Sequence, residues 1–324
     1  MTGAFVLGPR VIADLCPWNW LAIVLLCHVP QNLGGRLPTM ANRPVLIFDT
    51  SALNALLDDK ESEFLIPALR SGFFVRETGT NLEEVAATTS VDRRQKLLDL
   101  CRRLLSAGGC VQPYHLIIEA LIRHWIGATA FNWKDIRIRF QDYEDEIARQ
   151  EIISDVLAKE QKEHARRSQD EFEKVFDDAR PAFDELYRDG TVERPATFRE
   201  FVDRMQIEGG AFWGIGVSFY SRFAKDQPSE ETVRRFVSAC PPFCALLLAV
   251  CVAQYERCIR QPNTGPSVRA GRADLFMSVY LPYCDQFVTC DPRQERALRE
   301  VASVGDINVE VRSYEDFRSR FALN

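Results

Sequence analysis

The stretch VLIFDTSALNALLDD, residues 45–59, changes its pattern at Asp49. Four apolar residues precede Asp49 and predict a buried strand, and three leucines after it recur at helical spacing and predict a helix. A carboxylate at this boundary has two explanations. Asp can cap a helix by accepting hydrogen bonds from its first backbone N–H groups. It can also bind a metal ion at the carboxyl edge of a parallel sheet, where open α/β folds place their sites.

The overall composition limits the class of protein. The chain has 324 residues, enough for two ordinary domains or one enlarged one. A formal net charge of −6 argues against nonspecific coating of nucleic acid, although a local basic groove is compatible with it. The 10 cysteines include no C-x-x-C pair, and only four histidines are present. These counts argue against a zinc site and favour a reducing cytoplasm.

Two apolar runs must be assigned either to the core or to a membrane. Residues 18–29 are too few to span a bilayer, which needs about 20 residues. They precede Met40, where a domain that opens with a strand would naturally begin, so residues 1–39 are interpreted as a non-core extension. Residues 243–255, FCALLLAVCVAQY, are apolar all round and predict a buried helix with small core cysteines on one face. No membrane contact is expected.

Strand and helix patterns alternate on both sides of a charged middle segment. Phe73–Val75 predicts a second strand, and GTNLEEVAAT at 79–88 predicts a helix capped by Thr80 or Asn81. Residues 134–180 are rich in charge and predict solvated amphipathic helices. A strand ending in VTCD and a final strand, INVEVRS, then follow. This alternation predicts an α/β fold with a parallel sheet.

Carboxylates fall where the predicted strands and helices meet. Asp49 and Asp291 each follow a strand, Asp274 opens a helix, and Glu83 and Glu84 are predicted in the first turn of another helix. In a parallel α/β fold these positions gather at one edge of the sheet. Carboxylates that close repel one another unless they are protonated or bridged by a cation. Mg²⁺ or Mn²⁺ suits such oxygen ligands and can activate water for phosphodiester cleavage.

Asp285 lies six residues before Asp291 and could be mistaken for part of the same cluster. The helix that starts at Asp274 carries the chain about 14 Å away from that edge, and the next strand returns it by about 20 Å. We therefore expect Asp285 at the opposite edge of the sheet. There it would cap a turn or pair with a nearby basic residue.

The order of these acids resembles that of PIN-domain proteins, a family of metal-dependent nucleases that are mostly ribonucleases. The matching positions are Asp49 in IFDTSAL, Glu84 in LEEVAAT, Asp274 in RADLFMSVY and Asp291 in the T-x-D of VTCD. In the family, an apolar residue directly follows the Glu, which favours Glu84 over Glu83.

The resemblance implies a fold and a ligand set. The fold is a three-layer α/β/α sandwich with a parallel central sheet, divided into PIN-like parts at 40–127 and 264–324. The residues between these parts, 128–263, match nothing in the family pattern, and an all-helical insertion is expected there. The four matched acids would be the catalytic residues and the ligands of Mg²⁺ or Mn²⁺, and Ser51 and Thr289 would support them.

The resemblance also implies a cytoplasmic, metal-dependent endoribonuclease that hydrolyses RNA, of a toxin or RNA-processing type. An inhibitory, antitoxin-like protein partner and a homodimer are compatible with it. One alternative is a catalytically inactive PIN-like module that acts through its helical insertion. The other is a metal-dependent phosphatase, although the early D-x-D of many such enzymes is missing because residue 51 is Ser. Four arginines flank the acidic segments and could hold phosphates or serve only solubility: Arg93, Arg94, Arg269 and Arg272.

Overall fold

The computed structural model describes residues 43–141, 144–145, 155–207, 211–224, 227–260 and 269–321. The strands are β1 Val45–Phe48, β2 Phe74–Thr78, β3 Cys110–Val111, β4 Gln286–Thr289 and β5 Glu310–Ser313. They form one five-stranded sheet in the order β3-β2-β1-β4-β5, and every neighbouring pair is parallel. The predicted α/β class with a parallel sheet is confirmed. The extension predicted at residues 1–39 lies outside the described part of the chain.

The strand order reverses beside β1. The chain passes from β1 to β2 and β3 on one side, and later places β4 and β5 on the other. Phe48 of β1 is in register with Val288 of β4, so the two strands end side by side. A reversal of this kind leaves a crevice at the carboxyl edge, which is where open α/β sheets bind ligands.

Helices connect the strands and fill most of the remaining described chain. The first part contains α1 Thr50–Asp58, α2 Ser62–Gly72, α3 Gly79–Ala86, α4 Val91–Leu104 and α5 Tyr114–Gly127. The middle contains α6 Asp155–Leu186, α7 Phe198–Ile207, α8 Ala211–Ser221, α9 Glu230–Ala239 and α10 Pro241–Gln254, which a π-helix continues over Tyr255–Ile259. The last part contains α11 Arg272–Phe276, a 3-10 helix Met277–Tyr283, α12 Pro292–Val304 and α13 Tyr314–Phe321.

Alternation along the strands divides the core into two layers. In β1, Leu46 and Phe48 belong to one hydrophobic cluster and Ile47 belongs to another. In β4, Val288 belongs to the first of these clusters and Phe287 to the second. Successive strand side chains point to opposite faces, so the two clusters lie on the two faces of the sheet. The first cluster is completed by α1, α2, α4 and α13, and the second by α5, α12 and the middle helices. This arrangement is consistent with a three-layer sandwich.

The middle helices share their core with the sheet. Helix α10 packs against the 3-10 helix and α12, and buried side chains of α6 to α10 join the cluster that contains Ile47. Near the start of this segment, a short 3-10 helix over Trp133–Asp135 is followed by an antiparallel bridge from Arg139 to Val111. That bridge covers the otherwise open outer edge of β3. The described part of 128–263, predicted as an all-helical insertion, thus contains this extended pairing beside its helices, and residue 263 lies outside the described residues.

Helix α10 is apolar on all sides and buried, as predicted. Pro241 and Pro242 occupy its first turn, where no backbone N–H is needed. Among the described helices, α10 with its π-helical continuation is long and apolar enough to cross a membrane by length and composition, but 94% of its most apolar stretch is buried inside the protein. Cys251 and Cys258 are buried and Cys244 is half-buried, so the predicted cysteine face does lie in the core.

Helix α3, which carries Glu83 and Glu84, begins earlier than the sequence pattern predicts. Thr78 ends β2 and is also the N-cap of α3, accepting a hydrogen bond from the N–H of Asn81 at 3.0 Å. Thr80 and Asn81 lie inside the helix, and the two glutamates belong to its second turn rather than its first. The prediction of a cap at Thr80 or Asn81 is wrong because several residues that can cap a helix follow one another here, and the first of them ends the strand.

Candidate active site at the carboxyl edge

Asp49 stands at the point where β1 passes into α1. Its N–H donates to the carbonyl of Val288 at 2.9 Å, which continues the pairing of β1 with β4 by one residue. Its carboxylate accepts from the N–H of Ala52 at 2.7 Å and caps α1. The helix-cap explanation of Asp49 is thus correct. It does not exclude a role in a site, because the same carboxylate also faces other acidic groups.

Two hydroxyl groups bind the Asp49 carboxylate and join the ends of β1 and β4. Ser51 Oγ donates to the two carboxylate oxygens at 2.9 and 2.8 Å, and Thr289 Oγ1 donates to Oδ2 at 2.8 Å. The same hydroxyls also bind the backbone that follows β4. Ser51 Oγ accepts from the N–H of Cys290 at 2.8 Å, and Thr289 Oγ1 accepts from the N–H of Asp291 at 2.9 Å. The orientation of Asp49 is therefore set by both strands.

Burial makes the charge of Asp49 costly. The residue is only 5% exposed, and this desolvation raises the pKa of its carboxyl group to about 6. The hydrogen bonds from Ala52, Thr289 and Ser51 oppose the rise, and the charge of Asp274 adds to it. Near neutral pH the group is ionised, but against an electrostatic penalty.

Helix α3 brings Glu84 to the same edge. Asn81 fixes this helix to β1, because its side-chain amide donates to the carbonyl of Phe48 at 2.6 Å. Burial raises the pKa of Glu84 to about 7; the nearby Thr50 opposes the rise, and the charges of Asp274 and Asp49 reinforce it. Glu84 thus interacts with both aspartates of the edge.

Glu83 has different neighbours from Glu84. Burial raises the pKa of Glu83 to about 8, with a further contribution from Glu84 and an opposing one from Arg272. Its charged partner is therefore an arginine at the start of α11, and Glu84 is the glutamate that lies in the field of Asp49 and Asp274.

Asp274 lies in the first turn of α11 and also interacts with the edge. The N–H of Gly271 donates to Asp274 Oδ2 at 2.9 Å. Burial raises the pKa of Asp274, the charge of Asp291 adds to the rise, and Arg293 opposes it. A Cβ at position 271 would lie 3.0 Å from Asp274 Oδ2 and 3.3 Å from Gln169 Oε1, so a larger residue there would push these two side chains aside.

Helix α6 from the middle segment packs across this region, against α3 and α11. Gln169 Oε1 accepts from the N–H of Arg272 at 2.7 Å, and Gln169 Nε2 donates to Glu173 at 2.8 Å. Glu173 in turn pairs with the buried Arg257 of the π-helix, whose guanidinium also donates to the carbonyl of Ala270 at 2.9 Å. The middle segment therefore positions the helix that carries Asp274.

Asp291 differs from the other three predicted ligands because it is paired with a cation. Arg293 Nε donates to Asp291 Oδ1 at 2.9 Å and Arg293 Nη2 donates to Oδ2 at 2.6 Å. Burial alone would raise the pKa of Asp291, but the hydrogen bonds and charge of Arg293 outweigh burial and lower it. Asp291 also caps α12 by accepting from the N–H of Arg293 at 2.8 Å.

The four arginines considered as phosphate ligands occupy different environments. Arg93 bridges Asn54 and Asp58 on α1, and Arg94 is 1% exposed and donates to the carbonyl of Thr88. Arg272 donates to the Tyr114 hydroxyl at 2.9 Å and lies in the field of Glu83. The guanidinium of Arg269 lies near those of Arg180 and Arg257, and burial together with their repulsion lowers its pKa. Arg272 is the one of the four whose charge acts on a carboxylate of α3.

The donor set of this edge suits a hard divalent cation by its chemistry. Burial raises the pKa of three carboxyl groups from different elements, the charge of Asp274 adds to the rise at Asp49 and Glu84, and hydroxyls rather than thiols or imidazoles bind Asp49. Mg²⁺ and Mn²⁺ prefer such oxygen ligands, and a cation would relieve the repulsion. Within the described ranges, however, no three His, Cys, Asp or Glu side chains are arranged so that they could hold one metal ion between them.

Two features, one in the site and one beside it, have no signal in the sequence pattern. Arg293 lies two residues after the T-x-D motif, but an Arg in the first turn of a helix has no preferred partner until the structure is known. Glu77 on β2 is fully buried beside Asn81, and burial raises its pKa to about 8. An isolated Glu in a short strand carries no sign of such burial.

Comparison with known proteins adds no relative of this chain. No family model matches it, and no curated protein or solved structure does so either.

Proposed function

We propose that this protein is a metal-dependent endoribonuclease of the PIN-like type, which hydrolyses RNA phosphodiester bonds at the carboxyl edge of its sheet. The observation that carries the proposal is the convergence of Asp49, Glu84 and Asp274 from three separate elements on one edge, each with a raised pKa. Strained electrostatics of this kind are concentrated at functional sites. The position next to the reversal of strand order supports the same conclusion.

Asp49, Glu84 and Asp274 would hold Mg²⁺ or Mn²⁺, together with Asp291 once its carboxylate is free of Arg293. When bound, such an ion supplies an activated water and charge stabilisation for the leaving oxygen. Asp49 is the best-oriented ligand, because Ser51 and Thr289 fix its carboxylate from both strands. Thr289 Oγ1 also accepts from the N–H of Asp291, so it fixes the distance between the Asp49 carboxylate and the backbone of Asp291.

Glu84 is suited to proton transfer. A pKa of about 7 places its carboxylate where it can accept a proton from an attacking water near neutral pH. Asp274 would complete the acidic pocket. Because Gln169 and Arg257 fix the start of α11, the middle segment would contribute to the site by positioning Asp274.

A catalytically inactive PIN-like interaction module is the second candidate. Two observations favour it: Arg293 takes both oxygens of Asp291, and no three acidic, histidine or cysteine side chains of the described chain are arranged to hold an ion. Such a module need not bind Mn²⁺ at the acidic edge. The two candidates therefore differ in metal binding as well as in cleavage.

The proposed function is tested by incubating an end-labelled RNA with the purified protein and either Mn²⁺ or Mg²⁺. We expect internal cuts from the wild-type protein and a loss of roughly a thousandfold in rate for Asp49→Asn, since the best-oriented ligand is removed. Without metal, Asp49→Asn should be as stable as the wild type or slightly more so, because a buried charge disappears.

Asp285→Asn is the matched control, because Asp285 lies at the opposite edge of the sheet and should leave cleavage unchanged. Undiminished cleavage by folded Asp49→Asn would remove the activity from this edge. Release of inorganic phosphate without internal cuts would favour the phosphatase instead.

A further inference from the structure

Arg293 forms a two-pronged ion pair with Asp291 at the acidic edge. Its Nε and Nη2 atoms each donate to a different carboxylate oxygen, at 2.9 and 2.6 Å. Paired planar groups of this kind are the strongest common arrangement of arginine and carboxylate. While the pair is formed, a second cation at either oxygen of Asp291 would lie beside the guanidinium of Arg293.

The charge of Arg293 also reaches the rest of the cluster. Asp291 and Asp274 both raise the pKa of Arg293, and Arg293 in turn opposes the rise in the pKa of Asp274. The guanidinium thus supplies part of the positive charge that the edge requires. Its side chain is 38% exposed, whereas that of Asp291 is 16% exposed, so solvent reaches the guanidinium more readily than the carboxylate with which it pairs.

We propose that Arg293 is an internal counter-ion that competes with a divalent cation for Asp291 and, once displaced, binds a phosphate of the substrate. This inference rests on the proposed nuclease function and adds the exchange of partners to it. The competition for Asp291 follows from charge, because a monovalent guanidinium and a divalent ion would share the same oxygens and repel each other. The binding of a substrate phosphate follows from shape, because the guanidinium fork that fits a carboxylate also fits a phosphate.

The exchange predicts that removing Arg293 changes two affinities in opposite directions. In Arg293→Met, Asp291 loses its competitor, so calorimetric titration should show Mn²⁺ binding about tenfold tighter than in the wild type. The same variant loses a phosphate ligand, so a fluorescent single-stranded RNA should bind it about tenfold more weakly in the presence of metal. A residue that serves only folding would not produce this opposition.

Arg299→Met is the control for both measurements. Arg299 lies on the same helix, α12, and pairs with Glu295 at 2.6 Å, the distance that also joins Arg293 to Asp291. Glu295 is as exposed as Asp291, at 16% for each side chain. We expect Arg299→Met to leave the Mn²⁺ and RNA affinities within about twofold of the wild type. Arg293→Lys, which keeps the charge but loses the fork, should fall between wild type and Arg293→Met.

Three results would overturn the exchange. If wild type and Arg293→Met bind Mn²⁺ equally while both cleave RNA, Arg293 is no competitor, although the nuclease function stands. If Arg293→Met weakens the binding of both Mn²⁺ and RNA, Arg293 merely stabilises the edge. If neither protein binds Mn²⁺ or cleaves RNA, the exchange and the proposed function fail together.

Discussion

At the amino edge of the sheet, Asp285 accepts a hydrogen bond from the N–H of Val45 at 2.7 Å, and its own N–H donates to the carbonyl of Val45 at 2.9 Å. At the carboxyl edge, burial raises the pKa of Asp49, Glu84 and Asp274, and the charge of Asp274 adds to the rise at Asp49 and Glu84. Both edges thus contain aspartates directly beside strands. At the amino edge the carboxylate completes the backbone pairing of β1, whereas at the carboxyl edge the carboxylates oppose one another.

The difference separates a structural role from a functional one. A carboxylate that satisfies a strand's backbone N–H stabilises the fold. Several buried carboxylates that repel each other lower stability, and proteins retain such arrangements chiefly where function requires them. Asp285 lies at the edge opposite Asp291, so the predicted exclusion of Asp285 from the acidic cluster is confirmed.

The largest expected effect is a fall in stability with rising pH in the absence of metal. Asp49 and Glu77 have folded-state pKa values of about 6 and 8, above their ordinary values of 3.8 and 4.5. Above the ordinary values the unfolded chain has released protons that the folded state still holds, so stability falls as pH rises and levels off above the raised values. We expect a loss of several kcal/mol between about pH 4.5 and pH 8.

Urea unfolding at several pH values measures this loss directly. Added Mn²⁺ should restore more stability at the upper end of the pH range than at the lower end, because the carboxylates must be ionised to bind it. A metal-free stability that stays constant or rises through this range would contradict the electrostatic description of the carboxyl edge.

A smaller effect is expected from Glu77→Gln. This variant measures the contribution of one buried carboxyl group to the pH dependence apart from that of the acidic edge. Glu77 is fully buried, so removal of its charge should stabilise the protein by on the order of 3 kcal/mol near pH 8 and by little near pH 5. Its Mn²⁺ affinity should equal that of the wild type. A loss of Mn²⁺ binding in Glu77→Gln would mean that the site extends along β2.

The smallest effect is expected at the amino edge. Asp285→Asn keeps an oxygen that can accept from Val45, so the variant should lose at most about 1 kcal/mol and keep metal binding and cleavage. Asp291→Asn should instead lose metal binding. If Mn²⁺ affinity disappeared in Asp285→Asn and persisted in Asp291→Asn, the roles given to the two edges would be reversed.

Strand ends were predictable because each is a local pattern. The apolar run before Asp49 and the one before Asp291 both form strands, and the switch to helical spacing after Asp49 begins a helix. Parallel pairing then follows from the alternation of strands and helices. The placement of Asp49 and Asp291 at one edge could therefore be derived without a structure.

Long-range pairing was not predictable. The two-residue strand β3 and its bridge to Arg139 have no periodicity of their own. Arg293 could pair with any nearby acid, and Gln169 reaches the start of α11 only because a distant helix packs across it. Which glutamate of α3 faces the edge depended on the helix start, because the observed cap, Thr78, lies two or three residues before the predicted caps Thr80 and Asn81.

The central claim is that the carboxyl edge binds a divalent cation and the amino edge does not. It is tested most directly by calorimetric titration of Mn²⁺ into wild type, Asp49→Asn and Asp285→Asn under identical conditions, after circular dichroism has shown that all three are folded. The proposed function predicts saturable binding of one or two ions by the wild type and by Asp285→Asn, and no binding by Asp49→Asn. Equal binding by all three proteins, or a loss confined to Asp285→Asn, would contradict it.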